Sequence, residues 1–476
     1  MNNFKYIWVV GLSVTLFIII IPILAVVPSW GKNLDDPWVN LPQRAPDVDH
    51  TALLPGPYAT GSDVTRACLE CHEDAAHQVM DTVHWTWEGE EVNLPGREEP
   101  VRIGKKTSLN NFCIGIQSNW PGCTSCHAGY GWDSAGFDFS NQDNVDCLVC
   151  HDSTGIYVKG KAGYPVEGVD LVSVAQSVGT PSRQNCGDCH FDGGGGNGVK
   201  HGDLDEHLNF PPENVDVHMG SYDFLCIDCH QTHDHQISGR SISVSMDRNN
   251  QVMCTDCHSE SLHDDERITA HINSVACQTC HIPLGAVKDP TKMYWDWSTA
   301  GQDWEEDPHI YLKIKGSFVY ESDFVPEYYW YDGLKDRYIL GDVFDPSQPL
   351  NMNPLAGDIN DPNAKIWPFK VHRAKQPYDL VNNYLLQPKT VGEGGYWTDF
   401  NWDQALRLGS EVVDLDYSGQ YGFAETEMNW PITHMVAPVA KALQCNDCHG
   451  SDGRLDWMAL GYPGDPMAWG GRSSAK

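Results

Sequence analysis

Basic residues are scarce in this chain of 476 residues: 31 Lys and Arg stand against 65 Asp and Glu, a formal net charge of −34. A field of that sign repels polyanions, which excludes nucleic acid and an anionic lipid surface as partners. A basic electron-donor protein would be attracted, although acidic residues also serve solubility alone. Long helical patterns are scarce too, and between residues 67 and 285 only short stretches such as Leu69 to Val83 could be helices. The main motif recurs at irregular spacing, which removes a solenoid. Unpaired cysteine is almost absent: of 17 cysteines only Cys113 falls outside close pairs. Gly and Pro are plentiful at 44 and 29, yet 17 Trp and 19 Tyr mark a loop-rich, ordered chain and not a disordered one.

One charge-free run is long. Lys5 precedes Ile7 to Val27, 21 residues without a charge, and as a helix this spans about 30 Å, the thickness of a bilayer core. A cleaved export signal has a shorter apolar core and a small-x-small site, which Ala25-Val26-Val27-Pro28 fits poorly. The expectation is an N-terminal transmembrane signal-anchor over 1–30 on the periplasmic side of the cytoplasmic membrane. The alternative is secretion to the periplasm after cleavage. In both cases the rest of the chain lies outside the cytoplasm.

Sixteen cysteines form eight C-x-x-C pairs, each followed at once by His. They are Cys68, Cys71 and His72; Cys123, Cys126 and His127; Cys147, Cys150 and His151; Cys186, Cys189 and His190; Cys226, Cys229 and His230; Cys254, Cys257 and His258; Cys277, Cys280 and His281; and Cys445, Cys448 and His449. Two cysteines three apart can each form a thioether to one vinyl group of a haem, and the next residue then offers an imidazole to the iron. Zinc ribbons and redox disulfides need no His at the fifth place. The cofactor expectation is eight covalently attached haem c groups.

The chain divides accordingly. Residues 1–30 are the anchor and 31–66 a linker and entry loop. Residues 67–285 are a haem-dense domain with seven motifs, 286–430 an aromatic-rich wrapping or cap region, and 431–476 the eighth motif and tail. The fold class expected is mainly α with extensive loops, a multihaem cytochrome c fold in which the haems form the core. Beyond the motif histidines, thirteen remain to supply sixth ligands, enough for bis-histidine coordination throughout. Cys113, ten residues before Cys123, is either a small buried hydrophobe or a thiol placed to act on a sulfur substrate.

The phrases "NNFCIGIQSNWPGCTSCHAGYGW", "NVDCLVCHDSTGIY" and "GGGGNGVKHGDLD", with eight CxxCH motifs of which the last is set apart, resemble the octahaem tetrathionate reductase family. The resemblance covers about Cys68 to His281 and Thr433 to His449. It implies a helical and loop-built fold with seven bis-histidine haems and one active-site haem ligated by a lysine amine. The family's lysine follows a Thr-Gly-x-Tyr phrase after the third motif, which places it on Lys159, with Lys161 the alternative. The active-site haem is then the second, on Cys123 and Cys126, and His127 stays in its motif with the face each ligand takes left open. The same pattern implies His84, His201, His218, His235, His263, His271 and His434 as sixth ligands, with His233 the alternative to His235. Lys159, Cys113 and His127 become the catalytic candidates.

An amine binds iron only as the neutral base, so the metal must hold the lysine far below its usual acidity of about 10.4. The function implied is periplasmic reduction of a small oxidised sulfur or nitrogen compound: tetrathionate, nitrite or hydroxylamine. The partners implied are that inorganic anion or hydroxylamine, a quinol-oxidising or cytochrome electron donor, and the membrane through the anchor. Arg102, Lys105, Lys106, Lys161 and Lys200 are candidates for a local positive funnel. The competing reading is a membrane-tethered conduit whose haems are all closed.

Overall fold

The computed structural model describes residues 37–472 apart from 42, 45, 95–96, 114, 242–249 and 262. The apolar run Ile7 to Val27 therefore lies outside the described residues, and among those described no helix is long and apolar enough to cross a membrane. Two units are distinguished: Met1–Gln43 with Met253–Leu262, and Arg44–Val252 with His263–Lys476. The described part of the first holds the turns Pro37–Asn40 and Cys254–Asp256, the latter in the sixth motif. The second holds the other seven motifs and all the regular architecture below.

Helices are short, and four of the motifs are turns of their own. Leu148–His151, Cys226–Cys229, Cys277–His281 and Cys445–Cys448 are single turns. One turn puts residues i and i+3 on one face with i+4 beside them, the arrangement two thioethers and one imidazole need. The stretch Leu69 to Val83 is not one helix. Helix α1, Gly61–Leu69, starts earlier, where Thr60 Oγ1 accepts from the Asp63 amide and Asp63 accepts from the Thr60 amide. It stops at the first motif, and separate turns follow at Ala75–Met80 and Val83–Thr86. Its buried face carries Val64 against Leu148, and Thr65 Oγ1 donates to the Val145 carbonyl at 2.6 Å.

The expectation of a mainly helical fold is corrected in the 286–430 region. Seven strands form one sheet: β1 Thr291–Asp296, β2 Tyr311–Leu312, β3 Gly316–Glu321, β4 Glu327–Tyr331, β5 Leu350–Asn351, β6 Lys365–Asp379 and β7 Tyr421–Pro431. Their order is β2-β3-β1-β6-β7-β5, with β4 also on β6. The aromatic clusters "YWDW" and "PEYYWYDG" lie on β1 and β4, where large flat side chains suit a pleated, half-buried surface. Strand β6, at 15 residues, is the longest element described. It runs antiparallel to β7 from Phe369 opposite Pro431 to Asp379 opposite Tyr421, and parallel to β1 at Arg373 to Lys375.

The sheet is tied directly to the loop that leads into the second motif. Asn111 Nδ2 donates to the His372 carbonyl at 2.7 Å, Gln376 Nε2 to the Asn110 carbonyl at 3.0 Å, and Arg337 Nη2 to the Leu109 carbonyl at 2.6 Å. Helix α2, Trp402–Val412, is capped by Asn401, whose side chain accepts from the Gln404 amide at 3.2 Å. Apolar side chains form several small clusters instead of one core, such as Val64, Tyr130, Leu148 and Tyr157 in one place and Phe112, Phe369, Val371 and Trp430 in another.

Candidate functional site

Five motif histidines each face a second histidine ring across a gap too wide for contact. His190 and His84 have ring centres 6.1 Å apart, His151 and His235 6.4 Å, His230 and His434 6.2 Å, His281 and His263 6.3 Å, and His449 and His271 6.2 Å. Two metal–imidazole bonds of about 2 Å, with about 1.1 Å from each ring centre to its nitrogen, require about 6.2 Å. The gaps fit one iron each.

The other ring nitrogen is engaged in the way an axial ligand requires. Nδ1 of His151, His230 and His271 donates to the carbonyls of Gly179, Ser238 and Arg267 at 2.9, 2.8 and 2.6 Å. Nδ1 of His235 meets Gln78 Oε1 at 2.8 Å, that of His434 the Asp203 carboxylate at 3.1 Å, and that of His449 the Asp465 carboxylate at 2.7 Å. Holding Nδ1 this way fixes the tautomer and leaves Nε2 for a metal.

The remaining sequence-selected histidines are placed differently. His201 is buried against the Trp430 ring at 5.1 Å, and among the described residues no histidine ring faces it. His218 sits on the turn Val217–Tyr222, its Nδ1 3.9 Å from the Asp216 carboxylate. His233 is exposed beside Asp234, so of the two alternatives only His235 faces a motif ring. Three of the histidines left over bond to neighbours, His50 to the Val48 carbonyl, His77 to Gln142 and His309 to Asp307, and His207 Nδ1 lies 3.3 Å from the Asp205 and Asp289 carboxylates.

The second motif departs from the other pattern. His127 is fully buried, and its Nε2 donates to the Trp85 carbonyl at 2.7 Å. A nitrogen that donates has no lone pair for iron. Trp85, Trp87, Trp132, Phe137 and Phe139 enclose the ring at 4.8 to 5.9 Å. Burial pushes its imidazolium down to about 3, so the ring is neutral.

Lys159 reaches the main chain of that same motif histidine. Its ammonium donates to the His127 carbonyl, to the Gly129 carbonyl at 3.2 Å, and to Asp146 Oδ2 at 2.8 Å, with the side chain 7% exposed. Asp146 is held in turn by the hydroxyls of Tyr130 at 2.8 Å and Tyr157 at 3.0 Å. Burial raises both phenols, and the Asp146 charge raises them further. Asp146 and the two tyrosines escaped the sequence reading. Their signal was there, because Asp146 directly precedes the third motif and Tyr157 closes the phrase that selected Lys159. Lys161, the alternative, is exposed on the turn Lys161–Gly163.

Cys113 lies between two aromatic walls, packing against Phe112 and Trp430 on one side and Trp295 and Phe318 on the other. Three positive side chains come with them. Lys292, 2% exposed on β1, holds its ammonium 4.4 Å from the Trp295 ring and 4.6 Å from Phe318. Lys200 stands 4.9 Å from Trp430, and Arg337 is 2% exposed with Nε and Nη1 unbonded. Burial pushes Lys292 down to about 7, and burial with the charges of Lys105 and Arg337 does the same to Lys200. His372, on β6, keeps Nδ1 on Asn111 Oδ1 at 3.2 Å and leaves a buried Nε2 with no partner. Asn111 spends its amide on the His372 carbonyl, so its oxygen faces the ring, Nδ1 carries the proton and Nε2 has a free lone pair. Of the lysines and arginine read as a funnel, Lys105 and Lys200 lie near Cys126, whereas Arg102 and Lys106 face Glu91 and Glu88.

Paired histidines at the spacing of one iron, beside C-x-x-C turns, define a multihaem c-type cytochrome with covalently bound haem. The comparisons agree. A family model described as cytochrome c, bacterial, matches residues 292–452. The chain is 24% identical over 248 residues to an uncharacterized protein of Archaeoglobus fulgidus, covering 41% of this chain and 82% of that one. It is similar to the crystal structure of octahaem cytochrome c from Shewanella oneidensis, with a TM-score of 0.84 and 50% identity over 89% of this chain and 98% of that one. The chain belongs to that octahaem cytochrome c family, the octahaem tetrathionate reductase family.

Proposed function

We propose that the chain carries eight haem c groups and reduces small oxidised sulfur or nitrogen compounds, tetrathionate, nitrite or hydroxylamine, at the haem attached through Cys123 and Cys126. The observation that carries this reading is Lys159, whose amine lies at the backbone of His127 while the His127 ring is bonded elsewhere. Lys159 would then hold the iron of that haem in place of the motif histidine. The five histidine pairs would each hold one haem iron, and His72, His258, His201 and His218 belong to the expected ligand set. When bound, the haems would supply stored electrons for the reduction of a small compound.

The chain's own residues do the rest. Asp146 and the His127 and Gly129 carbonyls fix the direction of the Lys159 side chain. The aromatic cage holds the His127 imidazole in its buried place. Cys113 is placed for sulfur substrates. Its thiolate, attacking the central S–S bond of tetrathionate, releases one thiosulfate and leaves a Cys–S–SSO₃ group; two electrons from the haems return the thiolate and a second thiosulfate. Export to the periplasm, anchored or released, and an electron-donor protein complete the reading.

Assays in parallel with reduced viologen test it. All three compounds are expected to be reduced, with Lys159→Ala lowering kcat by about a hundredfold. A haem-loaded protein inactive on all three contradicts the reading and leaves an electron conduit.

A further inference from the structure

Among the described residues, three buried or half-buried cations of this protein of net charge −34 have no side-chain carboxylate partner. Arg337 spends one N–H on the Leu109 carbonyl and leaves Nε and Nη1 buried without an acceptor. An unmet charged donor of this kind costs more than a neutral one, so it marks a place where a ligand supplies the missing acceptor. Lys292 and Lys200 meet only aromatic faces, which attract a cation but accept no conventional hydrogen bond. Lys370, by contrast, is fully served by the Val199 and Lys200 carbonyls and Thr291 Oγ1, so it ties β6 to the Lys200 backbone. The two lysine-bearing walls meet at Cys113, and Lys105 and Lys200 both lie near Cys126 of the second motif.

We infer that Arg337, Lys200 and Lys292 form an oxyanion-binding wall beside Cys113, which makes the site select small inorganic oxyanions over neutral hydroxylamine. The inference rests on the reading of that haem as the reducing site, and it narrows the substrate class. Oxygen atoms of the anion satisfy the free guanidinium N–H groups, and the two ammonium groups offset its charge where no carboxylate competes. The acidic remainder of the chain makes this local reversal of sign necessary.

Sulfate, titrated calorimetrically into the oxidised holoprotein without reductant, tests the wall apart from turnover. The wild type is expected to bind it, and Lys292→Met and Arg337→Gln to weaken binding at least about tenfold. Haem content read by absorbance shows that the variants fold, and Lys200→Met serves where Arg337→Gln does not. In turnover the ratio of KM for tetrathionate or nitrite to KM for hydroxylamine rises about tenfold in each variant. Equal sulfate affinity in wild type and variants, or KM values that rise in parallel for all three substrates, overturns the inference. A protein that binds sulfate as expected but reduces nothing refutes the reductase reading and leaves the wall standing.

Discussion

Lys159 meets three acceptors, the number of N–H groups on an ammonium, so binding iron requires it to release one of them. Asp146 is the partner that sets its direction, because two tyrosines hold that carboxylate in place. In Asp146→Asn the amine keeps its carbonyl contacts but loses its charged one. The expected result is full haem loading, a broadened spectroscopic signature of the lysine-ligated haem and a roughly tenfold lower kcat. Lys292 gives a pH dependence. Burial holds it near 7, with Cys113 opposing and Lys315 assisting, and with Lys370 and His372 also facing it. Its charge is present below that pH and lost above it. Lys200 is held near 7 as well, so sulfate affinity falls as pH rises through about 7, a trend weaker in Lys292→Met and removed when Lys200→Met is added.

At the scale of elements, close approaches expose what cannot change. A side chain at Gly409 of α2 would put its Cβ 1.8 Å from the Gln387 carbonyl oxygen. Alanine ordinarily favours a helix, but here the contact is main chain and cannot swing aside. Gly409→Ala is expected to destabilise the protein by about 1–3 kcal/mol in thermal unfolding. The carboxylate behind His434 offers a second test. Asp203 takes the His434 Nδ1 proton and two backbone amides, which enriches the imidazole and stabilises the oxidised haem. Asp203→Asn is expected to raise the midpoint potential of the Cys226–Cys229 haem by about 60 mV, a tenfold change for one electron.

Strand β6 shows why the sheet was hidden in the sequence. Phe369 to His372 are all buried, so neighbouring side chains on both faces lack the alternation that marks a half-exposed strand. Its two prolines and the polar residues between aromatics read instead as turns.

Across the whole molecule the motif cysteines adjoin in a branched order. Cys68 is within bonding reach of Cys147, Cys126 of Cys189, and Cys186 of Cys226, while Cys150 lies near Cys186 and Cys280 near Cys448. The second, third and fifth motifs thus all lie near the fourth. His84, whose ring faces His190, lies in the turn Val83–Thr86, directly before Trp85 of the His127 cage.

Haem attachment was legible in the sequence because it is written locally, in five-residue motifs. The histidines whose rings face motif histidines, His84, His235, His263, His271 and His434, stand in phrases singled out in the sequence, whereas the contact of His201 with Trp430, 229 residues away, had no local sign. Arg337 and Lys292 left no local sign. They reach Cys113 and its neighbours only through the long-range pairing of the sheet with the loop at Asn111.

Electron paramagnetic resonance of the oxidised holoprotein tests the central claim most directly. The account predicts one signal unlike those of the bis-histidine haems, lost in Lys159→Ala and kept in His127→Ala. Spectra in which Lys159→Ala changes nothing, or in which His127→Ala removes that signal, would contradict it.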